Sequence, residues 1–394
     1  MRALVVADLH LDVSRWAVPG ADGSPWSAAR AAWLHACQVA LERQVDVVVL
    51  AGDTFHNGHP TPEAVQTIDD GIQMVRRGGP EVVLVGGNHE MAGWPRGYRH
   101  SLQIWDDQPG VHVALLPTWV RLSSGLSLAV APWPPRSLIL EQTGHLAPEE
   151  LAGATASWVA DQCAQLADTA PAGPSLLVGH AQVAGAVLPG SEQVIAPSSL
   201  WAGRGQWAVE PGALEGPWSA TLLGHIHRPQ QPGRSVYYVG STWTIDFTDA
   251  DDVHGAMLVE LDEWGSVQCS RLAGPDRNLM VIEVGAGQDV PERDLSGALV
   301  RLVMPGATPV GQSIASKAVE EMGGRVVSVV VPAAVRARQP MRPISPEASP
   351  LEALSTWAAA QNVDEVTQAA MLREAQALLA SLDGSAQAPA STSF

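Results

Sequence analysis

Five times between residues 3 and 227 a short apolar run stops abruptly in a small polar cluster. Ala3–Ala7 leads into Asp8-Leu9-His10, and Val45–Leu50 into Ala51-Gly52-Asp53. Glu81–Val85 leads into Gly86-Gly87-Asn88-His89-Glu90, Ser175–Val178 into Gly179-His180, and Ala220–Leu223 into Gly224-His225-Ile226-His227. Val- and Leu-rich runs without polar alternation are expected of strands buried on both faces. Between the early runs the period changes to that of helices. Ser27–Gln44 is Ala-rich with Leu34, Gln38 and Leu41 at helical spacing. Pro62–Arg77 has a capping Thr61, proline at its first position, Gly78 to end it, and a stripe of Val65, Ile68, Ile72 and Val75. Strands alternating with helices predict a layered α/β core, whose ligands bind beyond the carboxyl ends of the strands. All five polar clusters fall there.

The pattern changes after Arg271. Arg271–Asn278 reads as a polar Gly/Pro linker. Strands over Leu279–Val284, Ala298–Met304 and Arg325–Val331, with a helix over Pro309–Met322, then predict a small α/β unit. Pro332, Pro340, Pro343, Pro346 and Pro350 punctuate an extended linker. Ser349-Pro350-Leu351-Glu352 forms a capping box that opens a helix to Gln361, and a second helix over Asp364–Leu382 carries Val366, Ala370, Leu378 and Leu382 before Gly384. Two short amphipathic helices bury little by themselves, so this hairpin docks either on its own chain or on a partner. The expected division is 1–270, 271–335, a Pro-rich linker at 336–348, the helical hairpin at 349–384, and a disordered tail at 385–394.

Composition narrows the class. A chain of 394 residues, 46% hydrophobic and 16% charged, is large enough for a substantial core plus smaller units. Met1-Arg2 runs straight into the first strand without a signal-peptide pattern, and no apolar run approaches the roughly 20 residues that span a bilayer. Cys37, Cys163 and Cys269 are scattered, without metal-site spacing, and read as small buried fillers. A cytoplasmic protein without membrane contact is expected. The formal net charge is −18, and Lys317 is the only lysine. Phosphate neutralisation by basic side chains supplies most nucleic-acid affinity. Any such binding here must come from scattered arginines, bound metal or a partner.

The five clusters together offer two carboxylates, one amide oxygen and four imidazoles: Asp8, Asp53, Asn88, His10, His180, His225 and His227. Oxygen and imidazole donors without thiolate suit manganese, iron or zinc better than calcium or copper. Seven donors exceed the needs of one catalytic ion and suit two ions sharing a carboxylate. Two divalent ions bring about +4 against about −2 from the aspartates, which leaves positive charge for a phosphate. Such a pair, roughly 3.5–4 Å apart, clamps the attacking and leaving oxygens of an in-line displacement and lowers the pKa of a bound water. Phosphate-ester hydrolysis is the reaction this serves. His35 lies within a helix, while His59, His100, His112, His145 and His254 lack the strand-end context and read as ordinary loop or surface residues.

The motifs Asp8-Leu9-His10, Gly52-Asp53, Gly87-Asn88-His89-Glu90, Gly179-His180 and Gly224-His225-Ile226-His227, in this order, resemble the calcineurin-like metallophosphoesterase superfamily. The resemblance implies a two-sheet β-sandwich flanked by helices. It implies that Asp8, His10, Asp53 and His227 hold one metal, that Asp53, Asn88, His180 and His225 hold the other, and that His89 protonates the leaving group. Asp53-Thr54-Phe55-His56 followed by Pro60, with Val239-Gly240-Ser241 and Ile245-Asp246-Phe247, is similar to the SbcD-type nucleases of double-strand-break repair. By that resemblance His56 helps position the DNA end, and His254–Glu260 is the final strand of the catalytic domain. Residues 271–335 look like a capping domain, and the terminal hairpin binds the coiled-coil root of an SbcC-type ATPase. The implied protein is a manganese-dependent exonuclease and endonuclease subunit acting on DNA ends and hairpins, paired as a homodimer. Arg96, Arg99 and Arg228 follow metal motifs and are candidate phosphate contacts. Glu90 stands where the family more often has aspartate, and the segment 190–218 with Trp201, Trp207 and Trp218 matches no family feature. The protein phosphatase branch normally has an arginine shortly after the bridging aspartate, and Thr54–Gly58 has none. The alternative, favoured by the acidic charge, is a free-standing phosphoesterase acting on nucleotides, cyclic nucleotides or phosphoproteins.

Overall fold

The computed structural model describes residues 1–13, 24–91, 100–144, 146–189, 207–262, 264–285, 287–332 and 349–360, with 368–369, 371–376 and 379. Two sheets stack face to face. The first has six strands in the order β11 (Val267–Ala273), β10 (Gly255–Leu261), β1 (Arg2–Val6), β2 (Val47–Leu50), β3 (Glu81–Val85) and β4 (Val111–Ala114). From β1 to β4 the pairing is parallel, while β10 and β11 run antiparallel. The second has five strands in the order β5 (Thr118–Arg121), β6 (Ser127–Ala131), β7 (Ser175–His180), β8 (Thr221–Gly224) and β9 (Val236–Tyr238), parallel from β6 onward.

Each strand alternates between two apolar layers, which is why its sequence shows no polar alternation. In β1, Ala3 and Val5 pack toward the second sheet with Leu128, Val130, Leu176 and Val178. Leu4 and Val6 pack the other way, against α1 (Pro25–Glu42) and α2 (Pro62–Gly78), with Trp33, Ile68 and Ile72. On the outer face of the second sheet, Leu177 and Leu223 meet Val159 and Cys163 of α5 (Pro148–Asp168). The expected two-sheet α/β sandwich flanked by helices is present.

Several details differ from expectation. The buried stripe of α1 is Ala29, Ala32, Trp33, Ala36, Cys37 and Ala40, and Leu34 and Leu41 lie at its margin. Small side chains win there because α1 packs closely on α2, where a Cβ at Gly71 would overlap the Trp33 indole. Trp33 Nε1 also donates to the Thr67 carbonyl at 3.1 Å. Helix α2 runs one residue further than expected and ends on Gly79, whose φ of 113° suits glycine. After β10 the chain adds β11, so 271–273 continue a strand where a linker was expected, and β10 is not the last strand of the sheet. His100 and His254 are buried rather than superficial.

Beyond Gly274 a parallel sheet forms in the order β12 (Leu279–Glu283), β13 (Leu299–Val303), β14 (Arg325–Val330). Helix α6 (Pro309–Glu321), capped by Thr308 Oγ1, covers one face through Ala315 and Val319. The other face meets the sandwich. Leu279 and Leu299 pack on Phe247, and the Arg301 guanidinium lies 4.5 Å from that ring and 3.7 Å from Asp246 Oδ1. The expected capping box opens α7 (Pro350–Ala360): Ser349 N donates to Glu352 Oε2 at 2.8 Å and Glu352 N to Ser349 Oγ at 3.3 Å. The linker at 336–348, the tail at 385–394 and most of the second terminal helix lie outside the described residues. Among the described residues no helix is long and apolar enough to cross a membrane.

Candidate metal centre

The seven expected donors converge because the backbone ladder between β1 and β2 continues past the strand ends. Asp8 N donates to Gly52 O, His10 N to Asp53 O and Leu11 N to Thr54 O, at 3.1, 2.9 and 3.0 Å. This fixes the Asp8-Leu9-His10 turn beside the Gly52-Asp53 turn. The turns are conformationally costly. Asp8, His10, Asp53 and His225 all have positive φ, at 51°, 44°, 49° and 99°. Such backbone persists only where its surroundings over-determine it, and it clusters at functional sites. Glycine makes the approach of the two sheets possible at Gly52, where φ is 89° and a Cβ would overlap the His180 ring.

Asp53 Oδ2 is the centre of the array. It lies 3.5 Å from His180 Nε2, 3.6 Å from His10 Nε2 and 3.9 Å from His89 Nε2. Asn88 Oδ1 lies 2.9 Å from both His180 Nε2 and His225 Nδ1. His227 Nε2 faces His10 Nε2 at 3.3 Å, and Asp8 accepts the His225 backbone N–H at 3.0 Å. His56 joins this group, with its Nδ1 3.4 Å from His10 Nδ1 and its carbonyl oxygen 2.8 Å from His89 Nδ1. A cleft of about 410 Å³ opens over His10, Asp53, His56, Asn88, His89, His225 and His227. Asp8 and His180 sit beneath, wholly buried.

Burial and mutual charge set the ionisation. Burial raises the Asp8 carboxyl to about 6. Burial also drives His10 well down and His225 to about 3, so both rings are neutral, the form that binds a cation. For Asp53 burial disfavours the charge, but His180, His10 and His89 outweigh it and hold the carboxyl below the usual range. For His180 burial again opposes the charge, and Asp53 more than offsets it, raising the ring to about 9. Imidazole nitrogens facing each other across 3.3–3.4 Å around an ionised carboxylate are not a self-sufficient hydrogen-bond network. Asp8, His10 and His227 form one group of donor atoms within 4.8 Å of one another, and Asp8, Asp53 and His180 form another. The donor chemistry fits divalent cations.

Three residues that support this array were not singled out from the sequence. Glu90, fully buried, accepts from Gly87 N, Phe55 N and Asp53 N at 2.9, 3.0 and 3.2 Å, tying the β2 turn to the β3 turn. Burial, then the Asp53 charge, raises it to about 7. Trp133 packs on His225 with ring centroids 4.8 Å apart and touches Trp207 at the same distance. Asp249 Oδ2 lies 3.2 Å from His227 Nδ1. Their signal was weak because each lies on a loop without motif spacing, Glu90 excepted, and that residue read as a mild family variant. Of the candidate arginines, Arg96 and Arg99 lie outside the described residues. Arg228 is paired with Asp252 at 3.4 Å, which directs it away from the donor array. Trp207 and Trp218 belong to the apolar layer under α5, and the Trp218 Nε1–H donates to the Leu214 carbonyl at 3.0 Å.

A sandwich of this topology, with all five strand-end clusters gathered over one cleft, is that of a metal-dependent phosphoesterase. Residues 1–229 match the calcineurin-like phosphoesterase family, and the chain belongs to it. The chain is similar to the SbcD component of the SbcCD nuclease of Rhodobacter capsulatus, 26% identical over 336 residues that cover 77% of this chain and 76% of that protein. It is also similar to the DNA double-strand break repair protein Mre11 of Archaeoglobus fulgidus, 30% identical over 92 residues that cover 23% of this chain and 19% of that one. Among solved structures, a dimetal phosphatase from Danio rerio aligns over 68% of this chain and 98% of its own, at 12% identity and a TM-score of 0.36.

Proposed function

We propose that the chain is a two-metal phosphodiester hydrolase working as an SbcD-like nuclease subunit on DNA ends. The observation that carries this reading is the convergence of both aspartates, Asn88 and four imidazoles on one cleft, in a chain similar to the SbcD component of the SbcCD nuclease along three quarters of its length. Asp8, His10, Asp53 and His227 would hold one ion, and Asp53, Asn88, His180 and His225 the other. Two divalent cations, manganese by resemblance, would supply Lewis acidity and a hydroxide nucleophile near neutral pH. The chain's own contribution is positioning and proton transfer. Asp53, kept ionised, is shared between the two sets. His89, with Nδ1 against the His56 carbonyl, presents Nε2 to the cleft, where it can give a proton to the leaving oxygen. His56 lines the same cleft and orients the strand end.

Residues 271–335 serve as a cap beside the cleft, and the hairpin opened by α7 binds a coiled-coil ATPase, in a homodimer of catalytic domains. The partner supplies the DNA-binding surface that a net charge of −18 denies this chain. That same charge favours the second reading, a free-standing phosphoesterase on nucleotides, cyclic nucleotides or phosphoproteins. Manganese-dependent digestion of linear duplex DNA decides between them, with bis-para-nitrophenyl phosphate as parallel substrate. Degradation of DNA by the wild type and not by His89→Ala supports the nuclease. Cleavage of the small diester alone, with or without an ATPase partner, supports the alternative.

A further inference from the structure

His227 is enclosed by a closed circuit of hydrogen bonds. Its own carbonyl accepts from Ser241 N at 2.9 Å. Ser241 Oγ lies 2.8 Å from His254 Nδ1, and His254 Nε2 lies 2.8 Å from the Asp249 carbonyl. Asp249 Oδ2, finally, lies 3.2 Å from His227 Nδ1. The members are deeply buried: Ser241 0%, Asp249 1% and His254 2% exposed. Thr248 Oγ1 donates to the other Asp249 oxygen at 3.2 Å, leaving Oδ2 to His227. Neither His254 nor Asp249 is among the seven metal donors.

An ionised carboxylate only accepts, so a neutral His227 beside Oδ2 must carry its hydrogen on Nδ1. That leaves the Nε2 lone pair bare toward His10, whose Nε2 lies 3.3 Å away. We propose that Asp249, braced through His254 and Ser241, is a positioning residue that locks His227 in the Nδ1–H tautomer and aims Nε2 at the metal centre. The inference rests on the reading of His227 as a metal-holding residue. A purely structural role is the competing account, since Asp249 N also donates to the Asp246 carbonyl at 3.0 Å and shapes the turn. That role would leave the tautomer of His227 untouched.

The test uses the full chain labelled with ¹⁵N-histidine. Long-range proton–nitrogen spectra of the metal-free protein, at alkaline pH where the ring is neutral, report the tautomer. Manganese titration by calorimetry reports the ions. In the wild type His227 is expected as Nδ1–H. Asp249→Ala is expected to give a tautomer mixture and to weaken one ion about 10–100-fold while the other is unchanged. Asp249→Asn, whose amide oxygen still accepts, should keep the tautomer and lose less affinity. Should Asp249→Ala fail to fold, Asp249→Ser replaces it, being too short to reach Nδ1 yet able to hold Thr248. Retention of the Nδ1–H tautomer in the Ala or Ser variant overturns the proposal. So does wild-type binding of both ions by that variant. Should the wild type bind no manganese, the metal-centre reading fails, and the tautomer alone then supports or overturns the role of Asp249.

Discussion

The centre has two halves that are held in different ways. His180, His225 and Asn88 form a closed half. The His180 side chain is 0% exposed, its Nδ1 faces the Ala51 carbonyl at 2.9 Å, and Trp133 lies over the His225 ring. His10, His56, His89 and His227 form an open half, where the His89 and His227 side chains are 35% and 25% exposed to the cleft. The closed half is braced by backbone and by aromatic packing between the two sheets. The open half is braced by side chains, namely Asp249 at His227 and the His56 carbonyl at His89. A backbone brace follows from the fold and changes only if the fold does. A side-chain brace can be altered one residue at a time, so the open half is where substitution should tune activity without unfolding the protein.

Asp53 belongs to both halves, and removing its charge should give the largest effect. Asp53→Asn is expected to abolish binding of both ions and to lower phosphodiesterase activity by more than about 10³-fold, with the fold retained. Manganese calorimetry and hydrolysis of bis-para-nitrophenyl phosphate check this. Retention of both ions would mean that Asp53 is not shared. His89→Ala comes next and confines the damage to the open half. Both ions should remain bound while turnover falls about 10²–10³-fold, the range of a lost general acid. Loss of an ion in this variant would move His89 from proton donor to ligand.

Trp133→Ala attacks the closed half through packing. The indole contacts Trp207 and His225 with centroids 4.8 Å away and His180 at 6.0 Å. Its removal leaves a cavity beside both rings. Stability should fall by about 2–4 kcal/mol in chemical denaturation, the cost of truncating a large aromatic. One ion should weaken and the other should not, and Trp133→Phe should recover most of both losses. Equal weakening of the two ions would collapse the distinction between the halves.

Much of this architecture was legible in the sequence because the strands end in chemistry. The non-alternating runs stand for strands covered on both faces, and the polar residues that follow them are the donors gathered over the cleft. What stayed hidden were the supports. Asp249 sits in a loop rich in aspartates, and only its 3.2 Å approach to His227 separates it from Asp251 and Asp252. His254 read as an ordinary loop histidine because its partners, Ser241 and the Asp249 carbonyl, are defined by a fold in space. The stripe of α1 was misplaced because larger residues drew attention at helical spacing, whereas close packing on α2 selects alanine.

The smallest expected effect is a control at the far end of β3. Glu81 opens the strand whose other end delivers Asn88 and His89. Its Oε1 accepts from Ser123 N and Oγ, both at 2.7 Å, and its Oε2 lies 2.7 Å from His112 Nε2. Partial burial disfavours the charge, but the bonds from His112 and Ser123 outweigh it and lower the pKa from 4.5. A carboxylate whose folded value lies below its unfolded value contributes stability that is fully present above the unfolded value. That contribution disappears as pH falls through the folded value. Glu81→Gln should therefore cost about 1 kcal/mol near neutral pH, and the gap to the wild type should close as pH drops below 4.5. Denaturant melts across that range measure it. Both ions should bind as in the wild type, because Glu81 braces the first sheet to the loop after β5, away from either half. An effect on manganese binding would show that strain travels along β3 into the cleft, and the two halves would then have to be treated as one coupled unit.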